Sequence, residues 1–284
     1  MVVKCYAKIN IVLNVLGKYN DKLHRIDMVL LPLELHDSIQ ISRLKESAKD
    51  NYITFYDYSM GGIENNLVTR AITSFQKVTD QKQHYRIVIN KCIPISAGLG
   101  GGSSNAAGTL LAINKLTKAN LPIEELSKIG FELGSDIPFF LYNKPARVTG
   151  AGEVVEPIEI KNSYYVLVVK PKQGLSTKEV YEKSDEIELE TYDVDKVIEA
   201  LKNGDDELLE KSFGNALEKP ALELLPEIQN IKDELKSLGC KLVLMSGSGS
   251  SVFAMSTDKK IIKEAFNKFI DREEYDVEMC KVHK

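Results

Sequence analysis

Residues 7 to 15 alternate strictly, with Ala7, Ile9, Ile11, Leu13 and Val15 on one side and Lys8, Asn10, Val12 and Asn14 on the other. That period of two predicts a half-buried strand. Its polar side carries one cation and two amides with no acidic residue in the strand to neutralise Lys8, and the plain expectation is a solvated face. Residues 17–27 are polar and turn-rich, holding Asn20, Asp21 and His24, and residues 28–35 return to an apolar run interrupted by Pro32. A loop between two strands is expected there, with His24 on the loop, where a histidine is ordinarily only solvated. From Asn65 the period becomes helical: Leu67, Val68, Ala71, Ile72 and Phe75 share a face, and Asn65 or Asn66 serves as cap.

Residues 86–93 are β-branched and end at Pro94, which has no N–H for a ladder, so a strand should stop there. Beyond it Ala106, Ala107, Leu110, Leu111 and Ile113 recur at helical spacing, with Ser104 or Asn105 available as N-cap. Pro122 opens a further helix, in which Ile123, Leu126, Ile129 and Leu133 form a stripe that Gly134 ends. Asp136 follows at once, ahead of an apolar run. A carboxylate so placed has either a capping role or a chemical one, and the sequence leaves both open. Residues 143–156 read as a polar connection, and the chain is expected to divide into domains at 1–155 and 156–284. Further on, the pattern predicts a buried strand over 164–169, solvated helical charges over 185–210, and a helix over 226–238. A strand, glycine turn and strand over 241–255, a helix over 259–270 and a strand over 277–282 complete the chain.

The chain's 284 residues can bury two cores, and the mixture of strands and helices places the fold in the α/β (α+β) class. With 37 Lys and Arg against 41 Asp and Glu the net charge is −4, so bulk charge gives no reason to expect a nucleic-acid partner. Cys5, Cys92, Cys240 and Cys280 are scattered and form no paired motif, which predicts reduced thiols and no zinc site. Polar Lys4, Lys8 and Asn10 come too early for a signal peptide, and no apolar run reaches membrane length. A cytoplasmic protein, monomeric or homodimeric and without a membrane partner, is expected.

The candidate chemistry is concentrated where the strand of residues 86–93 passes into the next helix, through Pro94-Ile95-Ser96-Ala97-Gly98-Leu99-Gly100-Gly101-Gly102-Ser103-Ser104. Glycines remove the side chains that hold backbone N–H groups away from a ligand, and the helix adds its own unpaired N–H groups and positive dipole end. The combination suits a polyphosphate. It is neither a P-loop, lacking Gly-Lys-Ser/Thr, nor a dinucleotide fingerprint, since it does not open on the first strand. The second glycine-rich turn, Met245-Ser246-Gly247-Ser248-Gly249-Ser250, serves either as a simple hairpin turn or as a loop that lets backbone and hydroxyls approach a substrate.

The run 94–104, the motif 245–250 and the opening Ala7-Lys8-Ile9-Asn10 together resemble the superfamily of galactokinase, homoserine kinase, mevalonate kinase and phosphomevalonate kinase. The motif Gly134-Ser135-Asp136-Ile137-Pro138-Phe139 and a loop His at position 24 are similar to the branch that phosphorylates a cytidine-diphosphate-linked alcohol in non-mevalonate isoprenoid synthesis. The resemblance implies a two-domain kinase fold, an N-terminal ribosomal-protein-type α/β domain and a C-terminal α+β domain, that uses ATP and Mg²⁺. It implies Asp136 as catalytic base, Lys8 as its cationic partner, 94–104 as the ATP phosphate cradle with Ser104 a possible metal contact, and Asn10 and His24 facing the acceptor. One departure stands out: aromatics that flank the nucleobase in that branch are replaced by Leu23 and Leu30. A kinase of another alcohol, or a nucleotide-binding regulatory protein with little turnover, therefore remains open beside the cytidine-linked acceptor.

Overall fold

The computed structural model describes residues 1–20, 23–56 and 66–284. The chain forms two compact units: Met1–Ala7, His36–Ile93 and Gly100–Asn143 make the first, and Lys8–Leu35, Pro94–Leu99 and Lys144–Lys284 the second. In chain order the elements begin with β1 (Val2–Lys18), β2 (His24–Arg43), β3 (Tyr52–Phe55), α1 (Leu67–Thr79) and β4 (Tyr85–Asn90). Next come α2 (Gly101–Thr117), α3 (Ile123–Leu133), α4 (Ile137–Tyr142), β5 (Ala146–Gly150), β6 (Val154–Pro157) and β7 (Tyr165–Pro171). The remainder are α5 (Thr177–Ser184), α6 (Val194–Asn203), α7 (Asp206–Ser212), β8 (Gly214–Asn215), α8 (Glu218–Leu224), α9 (Glu227–Ser237), β9 (Leu242–Met245), β10 (Val252–Ser256), α10 (Lys259–Phe269) and β11 (Tyr275–Lys281).

In the first unit β4 pairs antiparallel with the second half of β2, from Ser38 opposite Asn90 to Arg43 opposite Tyr85, and β3 lies parallel to β4. The strand stops at Asn90 and not at Ile93 as the sequence suggested, because the N–H groups of Cys92 and Ile93 leave the ladder and donate to the Asp37 carboxylate at 2.8 and 2.9 Å. Helix α1 starts as expected: the Asn66 side chain accepts from Val68 N at 2.9 Å, and Val68, Ala71, Ile72 and Phe75 are buried. The alternative cap, Asn65, lies outside the described residues, as does Asp21. Helix α2 lies close on β1 at Gly108, where a Cβ would come within 2.5 Å of Cys5 Sγ.

In the second unit the hairpin β5–β6 pairs with the first half of β2, from Ile26 opposite Gly150 to Leu30 opposite Ala146. Residues 143–156 are thus largely strand and not a polar connection, because alternating Ala146 and Val148 turn inward. Pro32 sits between the stretch of β2 that meets β5 and the stretch that meets β4. Its carbonyl accepts from His283 N at 2.8 Å, and since N and O of one strand residue point the same way, the missing N–H costs no ladder bond. His24 is the first residue of β2 and not part of a loop.

Strand β1 departs furthest from expectation. Lys8, Asn10 and Asn14 are 4, 1 and 4% exposed, so both faces are buried and the solvated polar face is absent. Val12 and Leu13 pair in parallel with β8, and the Asn14 amide exchanges two hydrogen bonds with the Tyr192 backbone, at 2.8 and 2.9 Å, as a strand partner would. The same unit holds the four-stranded antiparallel sheet β11-β7-β10-β9 and helices α5 to α10. The continuous run Val166, Leu167, Val168 and Val169 is buried on both of its faces, as its composition predicts. Among the described residues no helix is long and apolar enough to cross a membrane.

Candidate active site

Helix α2 opens inside the glycines. Gly100 is its N-cap, left-handed at φ 72°, and Ser104 N already donates to Gly100 O at 2.9 Å. The expected caps, Ser104 and Asn105, instead lie buried within the helix. Only a residue without Cβ takes that φ at no steric cost, so the start moves into the glycine run. The N–H groups without intrahelical acceptors belong to Gly101, Gly102 and Ser103. Gly102 is exposed and Ser103 half-buried, so this amide cluster is open to an anion. Asn105 Oδ1 is enclosed nearby without a hydrogen-bond partner among the described residues.

Asp37 anchors the approach to this helix. Its carboxylate is fully buried, holds the two amides of residues 92 and 93, and forms an ion pair with Lys91 Nζ. A Cβ on Gly101 would lie 3.1 Å from that ammonium, so a cation is fixed beside the helix start. The sequence reading missed Asp37 and Lys91. The signal was present: Asp37 falls in phase with buried Leu33, Ile39 and Ile41 of β2, where a carboxylate must have partners.

Residues 94–99 belong to the second unit and are clamped there. Gly98 has φ 71°, and a Cβ on it would lie 2.1 Å from Ser246 O. Ser246 Oγ donates to Gly98 O at 3.1 Å, and Lys8 N donates to Leu99 O at 3.0 Å. The turn 246–251 joins β9 and β10 as the hairpin reading predicts, yet its hydroxyls face protein. Ser246, Ser250 and Ser251 are fully buried, and Ser250 Oγ donates to Gln173 O at 2.8 Å. Its second job is to brace the loop and to make room for Lys8. Lys8 Nζ donates to Asn10 Oδ1 at 2.7 Å, and a Cβ on Gly247 would come within 2.9 Å of that nitrogen. Asn10 Nδ2 in turn donates to Met28 Sδ at 3.2 Å, which fixes the amide's orientation.

Asp136 lies in the first unit at the N-cap position of α4, half-buried, and makes no capping bond. The capping reading of this carboxylate is therefore withdrawn. The turn that carries it runs beside the start of α2: a Cβ on Gly134 would lie 4.0 Å from Ser103 Oγ.

His24 has a built environment in the second unit. Its Nε2 is 2.8 Å from Asp185 Oδ1, its ring stacks on Tyr181 with centroids 4.8 Å apart, and Asp185 Oδ2 pairs with Lys18 Nζ at 3.1 Å. The hydrogen bond from His24, with Lys18 behind it, holds the Asp185 carboxyl below the usual carboxylate range. Asp185 is thus not one of the merely solvated charges expected over 185–210. Tyr181 and Asp185 were missed, although their spacing of four at the end of α5 places ring and carboxylate on one helical face. Leu23 is half-buried, whereas Leu30 is fully enclosed in the core and faces no ligand.

Two family models that match the chain place it among the GHMP kinases. Residues 66–144 match the GHMP kinases N terminal domain and residues 197–274 the GHMP kinases C terminal domain. The 4-diphosphocytidyl-2-C-methyl-D-erythritol kinase of Bacillus mycoides is 37% identical over 255 residues, 90% of this chain and 88% of that one. Its namesake in Exiguobacterium sibiricum is 37% identical over 272 residues, 94% and 93% of the two chains. A crystal structure of 4-(cytidine 5'-diphospho)-2C-methyl-D-erythritol kinase superposes with a TM-score of 0.82 at 29% identity, covering all of both chains. Homoserine kinase from Cytophaga hutchinsonii shares the fold at a TM-score of 0.76 and 17% identity, covering 99% of this chain and 94% of that one. The chain belongs to the 4-diphosphocytidyl-2-C-methyl-D-erythritol kinase family, and it is an ATP-dependent small-molecule kinase.

Proposed function

We propose that this kinase transfers the γ-phosphoryl group of ATP to the 2-hydroxyl of 4-diphosphocytidyl-2-C-methyl-D-erythritol, a step of isoprenoid precursor synthesis. The observation that carries the phosphate half of this reading is the helix start in the glycines, with three amides that have no intrahelical acceptor and the Lys91 ammonium beside them. The acceptor half rests on the names of the relatives and on the ordered His24. Residues 94–104 hold the triphosphate through backbone N–H groups, which donate to oxygens where charge is concentrated. Asp136 accepts the proton of the attacking hydroxyl. Lys8, held by Asn10, orients that oxygen and stabilises developing charge, and Asn10 and His24 bind the acceptor. Mg²⁺ would be held mainly by water and the phosphates it accompanies, with Asp136 the carboxylate that the first unit offers beside the start of α2. It would supply charge neutralisation on the phosphates; Ser104, the hydroxyl expected beside it, is only 2% exposed within α2, which does not favour it as a metal contact.

The replacement of a branch aromatic by Leu23 is offset by Tyr181, whose ring lies against His24 and offers a nucleobase a face to stack on. The test is direct. Purified protein with Mg²⁺, ATP and the cytidine substrate should release ADP and form a new phosphomonoester visible by ³¹P NMR. Turnover with another alcohol only would reassign the acceptor. Asp136→Asn should remove transfer while ATP affinity stays near wild type, and a fully active variant would take Asp136 out of the mechanism.

A further inference from the structure

Asn215 joins the first strand to the second glycine turn. It is 1% exposed, and on β8 it lies opposite Leu13 of β1, where the neighbouring Ala216 N donates to Leu13 O at 2.9 Å. Its side chain reaches the end of β9 and the turn: Nδ2 donates to Met245 O at 2.9 Å and to Gly247 O at 2.7 Å, and Oδ1 accepts from Leu217 N at 2.9 Å. A side-chain amide has two N–H donors, and here each has a backbone carbonyl. Turned over, the same group would set its oxygen against two carbonyls and its NH₂ against an N–H, so the partners admit one orientation. Glu218, three residues on, repeats the grip, since its Oε1 accepts from Met245 N at 3.0 Å while Oε2 pairs with Lys232 Nζ. What the held turn covers is Lys8. Gly247 is left-handed at φ 58°, and a Cβ there would lie 2.9 Å from Lys8 Nζ, 3.2 Å from Gly98 O and 3.4 Å from Asn10 Oδ1. Asn215 thus lies with its backbone along the strand that carries the ammonium and holds with its side chain the turn packed on that ammonium.

We infer that Asn215 is a positioning residue for phosphoryl transfer: by tying the Met245 and Gly247 carbonyls to the strand beside β1, it sets the gap in which Lys8 Nζ is held against Asn10. The inference rests on the proposed role of Lys8 at the attacking oxygen. Met245 and Gly247 are buried, so without the amide their two carbonyls lose a donor that water does not replace. An unpaired buried acceptor is relieved by turning toward a nearby cation. For Gly247 that cation is the Lys8 ammonium, which its backbone already borders. A carbonyl swung onto Nζ draws the ammonium off Asn10 Oδ1 and away from the acceptor hydroxyl.

A cycle of variants tests this, read as ADP release with ATP, Mg²⁺ and the cytidine substrate, or the alcohol that takes its place. Asn215→Ala should lower kcat at least about tenfold, since misplacing a group by on the order of 1 Å costs up to about a hundredfold. KM for ATP should change less, because Ser246 keeps its own bonds to Ser251 and Gly98. In Lys8→Met the ammonium is gone, and adding Asn215→Ala should then change kcat by no more than about twofold, as for two residues that act as one unit. A full tenfold loss in that background, or a wild-type kcat in folded Asn215→Ala, overturns the proposal. Asn215→Ser takes the place of Asn215→Ala if the latter does not fold, and failure of both to fold makes the residue structural only, which also overturns it. The two readings fail separately: Lys8→Met at the wild-type rate refutes the role of Lys8 and what is built on it, whereas a slow Lys8→Met with additive losses removes the positioning alone.

Discussion

Asp37→Asn changes one atom in the core of the first unit, and the contacts define what that atom does. Both backbone amides, of Cys92 and Ile93, donate to Oδ1, while Lys91 Nζ pairs with Oδ2. An asparagine that keeps its oxygen on the amides must turn its NH₂ toward the lysine, setting donor against donor. The Lys91 side chain is only 11% exposed, so its ammonium finds little water in compensation. Breaking a buried pair from one side costs about 3–5 kcal/mol, and that range is the expected loss of stability. Lys91→Met added to Asp37→Asn removes the stranded charge and should restore at least about 1.5 kcal/mol, the scale of coupling between residues in contact. Urea unfolding followed by a probe in the first unit measures both. Because the same carboxylate aims the chain into residues 94–104 and holds a cation beside Gly101, KM for ATP should also rise, while KM for the acceptor stays as it is. A variant within about 1 kcal/mol of wild type and with an unchanged KM for ATP would refute the anchoring role.

Gly98→Ala places a Cβ 2.1 Å from Ser246 O at a left-handed φ. Backbone strain of about 1–2 kcal/mol and overpacking of about 1–3 kcal/mol should lower kcat/KM by more than tenfold in an ADP-release assay, and a near-wild-type rate would show that the clamp is dispensable. Burial pushes the Cys5 thiol up to about 12, Cys240 to about 11 and Cys280 to about 12, whereas Cys92 is exposed. Maleimide at pH 8 should therefore label Cys92 first, and peptide mass spectrometry showing Cys5 labelled as quickly would contradict its packing under Gly108. The folded-state pKa of Asp185 is lowered, chiefly by the bond from His24. Its contribution to stability is then full above the unfolded value of 3.8 and lost as pH falls through the lower folded value. The stability gap between wild type and Asp185→Asn should accordingly close as pH falls below 3.8 and through the lower folded value.

Most elements were legible because their cause is local. The stripe of α3 between Pro122 and Gly134, the Asn66 cap of α1 and the apolar run of β7 each follow from side chains within a few residues of one another. What failed depends on partners far away in sequence. The end of β4 is decided by a carboxylate more than fifty residues earlier, and the burial of the polar side of β1 depends in part on Tyr192 reaching Asn14. No window around Lys8 or Asn90 contains that information. Strands β1 and β2 also contribute residues to both units, so composition does not change where the chain passes from one to the other.

The site divides along the same line. The glycine run could be read as a cradle because an absent side chain needs no partner to be meaningful. The ligand-facing polar groups could not be read so easily, since a lysine, an asparagine or a histidine in a pattern of alternation looks like solvated surface until something covers it. For Lys8 the covering group is Gly247, where a Cβ would come within 2.9 Å of the ammonium. For His24 it is Tyr181 with Asp185, supplied by a short helix more than 150 residues away. The second glycine motif thus has its meaning in the first strand: Gly247→Ala should act on Lys8, raising no new contact with ATP yet lowering kcat, and a variant whose defect lay wholly in KM for ATP would place that turn with the phosphates instead.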